Sequence, residues 1–310
     1  MADIVISEFM DETAIATLSG RFHIHYDPGL VDRPDDLPGV MAGAKALIVR
    51  NRTKVSGVLL DAAPDLQCVG RLGVGLDNID LAVCQARGIA VYPAAGANNM
   101  SVAEYVVTAI LVLLRRAWFA SADVAAGAWP RQDLIGREVA GKVLGLIGFG
   151  AIARETALRA AALRMDIIAF DPFLNDDDPA WSHARRVEFD ALLAEADAVS
   201  LHVPLTDQTR QLINGAALAR MKPDAVLINA ARGGVVDEAA LAEALRNGRL
   251  AGAALDVFET EPLTAEAGAV FASLTNIILT PHIAGVTEES NVRASAMTAA
   301  NVLRHLEALA

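Results

Sequence analysis

Short runs of apolar residues recur along the chain. Each is followed by a segment whose apolar positions repeat every three or four residues. Ile4–Ile6, Ala46–Val49 and Cys68–Arg71 read as short strands with no polar alternation, as expected where both faces of a parallel sheet are covered. Helical patterns lie between them, near residues 11–18 and 55–63. Residues 88–93 form a further short strand closed by Pro93. Ser101 with Glu104 three residues on predicts a capping box, opening a helix that runs to about Ala126 and stops at Gly127.

A second series opens at residues 142–147. Its later strands are expected at 166–170, 198–202, 225–229, 252–256 and 277–280, with helices at 152–163, 216–221 and 238–246. Strand and helix alternate throughout, so the fold class is α/β: two Rossmann-like, doubly wound parallel-sheet domains. A helical run at 288–308 returns to the first series, which makes the second an insertion. The expected boundaries are 1–98 with 286–310 for one domain and 99–285 for the other. No tandem repeat is visible.

Composition narrows the function. The chain has 310 residues and is 54% hydrophobic, enough to bury a large core without disulfides. Its formal net charge is -12 at pH 7, which on average repels nucleic acid. A small anionic substrate stays open, because a few nearby arginines outweigh a screened distant field. Cys68 and Cys84 have no metal-type spacing and read as reduced and structural, so no metal is expected. The start, MADIVISEF, reads as a strand rather than a leader, and the most apolar stretch, 102–114, is too short to cross a bilayer. The expected compartment is the cytoplasm, with no membrane partner.

The chemistry begins after residues 142–147 with Gly148-Phe149-Gly150-Ala151-Ile152-Ala153, a G-x-G-x-x-A pattern. Glycines there permit a tight turn and close approach to a pyrophosphate, and the helix that follows offers free N–H groups. Asp171, at the end of the next strand and about 20 residues past the glycines, suits the ribose hydroxyls of NAD and would repel the 2′-phosphate of NADP. The cofactor expected is therefore NAD.

Three further segments follow strand ends, where ligands bind in open α/β sheets. They carry Arg232, Glu261 and His282. A histidine can give a proton to a developing alkoxide and take one from a hydroxyl near neutral pH. A carboxylate beside it, with Glu261 the candidate, fixes its tautomer. Arg232 has a fork that fits a substrate carboxylate and can polarise the neighbouring carbonyl.

At these residues the sequence resembles the D-isomer-specific 2-hydroxyacid dehydrogenase family, over nearly the whole chain and most strongly from Lys142 to Gly285. The resemblance implies hydride transfer between NAD and a small 2-hydroxy or 2-oxo acid, with Arg232, Glu261 and His282 catalytic. It implies that the turn Gly73-Val74-Gly75 takes the substrate carboxylate. It adds Ser101, Pro204, Thr209, Ala230, Asp256 and Gly285 to the cofactor contacts Gly148, Phe149, Gly150, Ala151, Ile152 and Asp171. The outer domain is then the substrate domain, with hinges near 97–100 and 283–287, and the helix from Ser101 builds a homodimer.

Two departures stand out. Ala151 replaces a residue that is often polar or basic in relatives, and no C-terminal regulatory extension of the longer phosphoglycerate dehydrogenases is expected. The segment Arg50-Asn51-Arg52-Thr53-Lys54 is similar to that of sulfolactate dehydrogenases. Relatives that use phosphorylated hydroxy acids have an Arg in this region, and by that resemblance Arg50 or Arg52 would hold a phosphate, sulfonate or second carboxylate. Candidate substrates are thus 3-phosphoglycerate, sulfolactate, or a plain acid such as glyoxylate or hydroxypyruvate. Glu261 argues against formate oxidation, for which the family places Gln beside the histidine. Phosphite oxidation and an NAD-sensing co-repressor role are the alternatives.

Overall fold

The computed structural model describes residues 2–116 and 120–308. The chain divides into two compact units, Met1–Asn98 with Val286–Ala310, and Asn99–Gly285.

The first unit is built on five parallel strands: β1 (Ile4–Ile6), β2 (Ile24–Tyr26), β3 (Ala46–Val49), β4 (Cys68–Arg71) and β5 (Ala90–Pro93), in the order β2-β1-β3-β4-β5. Side chains alternate between the two faces, so each apolar run feeds two cores. Val5, Leu47 and Val49 enter one, and Ile4, Ile6 and Ile48 the other. The second core is closed by Ala299, Val302 and Leu306 of the last helix, Glu288–Ala308. The order reverses between β1 and β3, so their C-terminal ends flank a crevice.

The second unit has seven parallel strands: β6 (Val143–Ile147), β7 (Asp166–Phe170), β8 (Arg185–Arg186), β9 (Ala198–Leu201), β10 (Val226–Asn229), β11 (Gly252–Leu255) and β12 (Ile277–Leu279). Their order is β12-β11-β10-β9-β6-β7-β8, which reverses between β6 and β9. Again two cores form, with Leu144, Leu146, Val226 and Ile228 on one side and Val199, Leu201, Leu227 and Leu255 on the other. Ala153, Ala157 and Ala160 of the helix Ala151–Ala162 are small enough for the helix Asn99–Arg115 to pack closely beside them.

The long helix differs from the sequence expectation. It starts at Asn99, so Ser101 lies inside it, 5% exposed, and does not cap it. It ends at Arg115, because Arg116 takes a left-handed φ of 56°, a conformation that stops helices. A separate five-residue helix, Ser121–Ala125, precedes Gly127, and part of the predicted run, 117–119, lies outside the described residues. Strands β2 and β8 had no apolar run to betray them: both are edge strands with half-buried or exposed residues.

Gly70 in β4 shows how tightly the last helix closes the first sheet. A Cβ there would lie 2.7 Å from a methyl of Thr298 and 2.9 Å from one of Val302. Gly70→Val should cost about 1–3 kcal/mol by overpacking and lower the melting temperature. An unchanged melting curve would mean that the last helix does not seat on β4.

Candidate active site

The turn after β6 is shaped for a dinucleotide. Gly148 has φ 84°, and a Cβ on it would lie 2.5 Å from the carbonyl oxygen of His202. Gly150 is the N-cap of the helix Ala151–Ala162 without any side-chain cap, and a Cβ on it would meet nothing within 4 Å. Open space in front of uncapped N–H groups is what a pyrophosphate requires, so these residues fit the cofactor. Asp171 holds the turn from below: its Oδ2 accepts from Phe149 N at 2.8 Å and its Oδ1 from Phe173 N at 2.9 Å. Phe149 turns its ring into the core, stacked 5.4 Å from Trp181, so only its backbone faces the turn. Ala151 is exposed and Ile152 half-buried at the start of the helix.

The loop after β9 is stapled by one hydroxyl. Thr209 Oγ1 donates to Pro204 O at 2.6 Å and accepts from Thr206 N at 2.8 Å. His202, beside Gly148, was not singled out from sequence. Burial pushes its imidazole down to about 4, so it is neutral, and Nε2 lies 3.0 Å from Ser200 Oγ.

The ends of β10, β11 and β12 bring Arg232, Glu261 and His282 into one unit. Asn229, 1% exposed, fixes the first loop by donating to Arg232 O at 2.9 Å and accepting from Ala231 N at 3.1 Å. This sets the bend at Ala230, and Arg232 Nη1 donates to Ala231 O at 2.7 Å. The next residue must be glycine, since a Cβ on Gly233 would lie 1.8 Å from Phe258 O. The first two loops therefore pack backbone against backbone.

His282 Nδ1 lies 2.7 Å from Glu261 Oε2, and Glu261 Oε1 accepts from Phe258 N at 3.0 Å. Burial alone would raise the Glu261 pKa. The hydrogen bonds from His282 and Phe258, with the charges of His282 and Arg232, outweigh it and hold the carboxyl below its ordinary value. A carboxylate on Nδ1 orients the ring and leaves Nε2 to exchange a proton with a ligand. His282 has φ 56°, a strained conformation costing on the order of 1–3 kcal/mol for a residue with a side chain. Asp256, 1% exposed, supports that turn: its carbonyl accepts from His282 N, its Oδ1 from Ile283 N and its Oδ2 from Ala284 N, each at 2.8 Å. Gly285 follows and ends the unit.

The first unit has its own cluster at the β1/β3 crevice. Glu8, 4% exposed, accepts from the backbone N–H groups of Arg50, Arg52 and Thr53 at 2.8, 3.3 and 2.9 Å. Asn78 Nδ2 donates to Arg50 O at 3.0 Å and Thr53 O at 2.6 Å. Neither residue was picked from sequence, since both act on a loop distant in the chain. Arg52 pairs with Asp32. The Arg50 guanidinium donates to a neutral group, Asn291 Oδ1 at 2.7 Å, and lies 5.9 Å from the centre of the Phe9 ring. Below, Gly73 has φ 150°, and a Cβ on it would overlap the Arg71 guanidinium. Among the described residues, the N–H groups of Val74 and Gly75 make no hydrogen bond.

Among the described residues no cluster of His, Cys, Asp and Glu could hold a metal, and no helix is long and apolar enough to cross a membrane.

Comparison with known proteins places these features in context. The family model "D-isomer specific 2-hydroxyacid dehydrogenase, NAD binding domain" matches residues 107–284. The chain is 55% identical over 307 residues to the (S)-sulfolactate dehydrogenase of Chromohalobacter salexigens, covering 99% of each. It is 40% identical over 288 residues to the hydroxypyruvate reductase of Thermotoga maritima, covering 93% of each. Among solved structures, D-lactate dehydrogenase from Aquifex aeolicus complexed with NAD and lactic acid aligns with TM-score 0.83 at 28% identity, over 98% of this chain and 96% of that one.

The lowered Glu261 pKa has a signed consequence. A carboxyl whose folded pKa lies below its unfolded value, about 4.3, adds stability above that value and loses it as pH falls through the folded pKa. The melting-temperature advantage of the wild type over Glu261→Gln should therefore shrink below about pH 4. An advantage that stays constant down to the acid limit would mean that Glu261 is not held as a charged acceptor.

Proposed function

The chain belongs to the D-isomer specific 2-hydroxyacid dehydrogenase family and is an NAD-dependent oxidoreductase of 2-hydroxy acids, and on that premise we propose that its substrate carries a second anionic group, as sulfolactate does. The observation that carries the catalytic part is the 2.7 Å contact between His282 Nδ1 and Glu261. Bound at the glycine turn, NAD supplies the acceptor, and in reverse the donor, of the hydride. In the oxidation direction His282 Nε2 takes the hydroxyl proton, and Glu261 balances the imidazolium that results. In reduction the same nitrogen returns the proton. Arg232 offers its guanidinium to the carboxylate and polarises the adjoining oxygen.

On the cofactor side, Gly148, Gly150 and the N–H groups at Ala151 and Ile152 receive the pyrophosphate, and Asp171 keeps the turn in shape while facing the ribose. Pro204, Thr209, Ala230, Asp256, Gly285 and Ser101 complete our proposed cofactor surroundings. The free N–H groups of Val74 and Gly75 suit a carboxylate. Of the two arginines at this crevice, Arg52 is paired with Asp32. Arg50, at a switch-point crevice and hydrogen-bonded to the neutral Asn291, is the better reader of a sulfonate or phosphate.

We further propose a homodimer. On the helix Asn99–Arg115, Val107, Leu111 and Val112 remain half-buried along one stripe, and Trp129 and Ile135 are exposed beyond it. The buried free thiols of Cys68 and Cys84 suit the reducing cytoplasm.

The first test is NADH oxidation against glyoxylate, hydroxypyruvate, phosphohydroxypyruvate and sulfopyruvate. His282→Ala should cost at least about 100-fold in kcat. Arg50→Ala should raise KM for sulfopyruvate roughly tenfold or more, the worth of a charge-assisted hydrogen bond, and more than it raises KM for glyoxylate. Equal effects on both acids would remove Arg50 from the second-anion role. Tight NADH binding without turnover of any acid would point to the sensor reading instead.

A further inference from the structure

His282 is held in a backbone conformation that side chains disfavour, and the groups holding it extend beyond the catalytic pair. Three consecutive N–H groups, from His282, Ile283 and Ala284, converge on Asp256. The fourth donor is a side chain: Thr280 Oγ1 lies 2.6 Å from Asp256 Oδ1. A carboxylate only accepts, so the single hydrogen of the Thr280 hydroxyl points at Asp256. The Thr280 oxygen is then free to accept, and Tyr105 OH stands 2.6 Å from it. The proton order along this chain is thereby fixed as Tyr105 to Thr280 to Asp256.

Tyr105 comes from the helix Asn99–Arg115, and Thr280 from the end of β12 directly before Pro281 and His282. Burial raises the tyrosine pKa, so it stays a donor across the working range. Neither hydroxyl belongs to the proton-transfer pair. Resting on the reading of His282 as the proton carrier, we infer that Thr280 and Tyr105 are positioning residues. They hold the Asp256 carboxylate in the one orientation that receives Ile283 N and Ala284 N, and so keep the turn that aims the His282 ring at Glu261. Removing the Thr280 hydroxyl frees Oδ1 to rotate toward other donors, and the turn relaxes away from its strained φ.

The test compares Thr280→Val, Thr280→Ser, Tyr105→Phe and His282→Ala in the full chain. It uses the 2-oxo acid that the wild type reduces fastest in the panel, and measures NADH affinity separately by fluorescence titration. Thr280→Val should lose tenfold or more in kcat, a larger factor than any change in the Kd for NADH that the freed Asp256 carboxylate brings. Thr280→Ser should recover kcat to within twofold of the wild type. Tyr105→Phe should fall several-fold, because Thr280 keeps its bond to Asp256 but loses the donor that fixes it. A Thr280→Val enzyme with wild-type kcat, a loss that serine does not recover, or a loss seen only in NADH affinity would overturn the inference. If Thr280→Val does not fold, wild-type kcat in Tyr105→Phe overturns it equally. An active His282→Ala enzyme would sink the reading of His282 itself, whereas an inactive one beside a fully active Thr280→Val sinks only the positioning role.

Discussion

A carboxylate taken out of water has to be met by donors, and that requirement organises the functional end of each sheet. Asp256 is 1% exposed, and its carboxylate is met by Thr280 Oγ1, Ile283 N and Ala284 N. In doing so its carboxylate gathers Ile283 N and Ala284 N while its backbone carbonyl takes His282 N, and His282 sits in the tight turn that results. An isolated left-handed histidine would relax. Here relaxation would strip hydrogen bonds from a buried anion, and leaving such a group unsatisfied costs as much as the strain or more.

The same device appears twice more. Asp171 binds Phe149 N and Phe173 N and so shapes the glycine turn. Glu8 binds the N–H groups of Arg50, Arg52 and Thr53 and so shapes the loop at the β1/β3 crevice. In all three cases the acid accepts from the protein's own backbone, which leaves a loop of fixed shape at the C-terminal end of a parallel strand. Glycines then set how closely such loops approach. Gly233 lets the Arg232 loop lie against Phe258, and Gly148 lets the glycine turn lie against His202.

What could be read from sequence follows from how local each signal is. The buried strands and the G-x-G-x-x-A turn announce themselves within a few residues, and the helix Glu238–Arg246 matches its apolar pattern. Arg232, Glu261 and His282 were legible as residue types at strand ends, although only the fold brings Nδ1 to 2.7 Å from Glu261. The capping box at Ser101 failed because the helix begins two residues earlier, at Asn99, which puts Ser101 inside its first turn. Glu8, Asn78 and Tyr105 were invisible for another reason. Each acts on groups 25 to 175 positions away, and no spacing rule reaches that far.

The acidic chain and the anionic substrate we propose are reconciled by the same inward-turned carboxylates. A net charge of -12 is spread over a surface whose distant parts are screened beyond about 8 Å at physiological salt. What a ligand meets is the local field. Burial works against the Arg50 charge and lowers its pKa, but Glu8 next to it pulls the other way. Glu8 in turn is already satisfied by three backbone N–H groups, so it has no need to take the guanidinium for itself. Arg50 therefore remains charged, bound sideways to Asn291 and face-on to Phe9, with its own acid unavailable as a competitor for an incoming anion. Arg52 shows the contrast, since this exposed arginine is paired with an acid, Asp32.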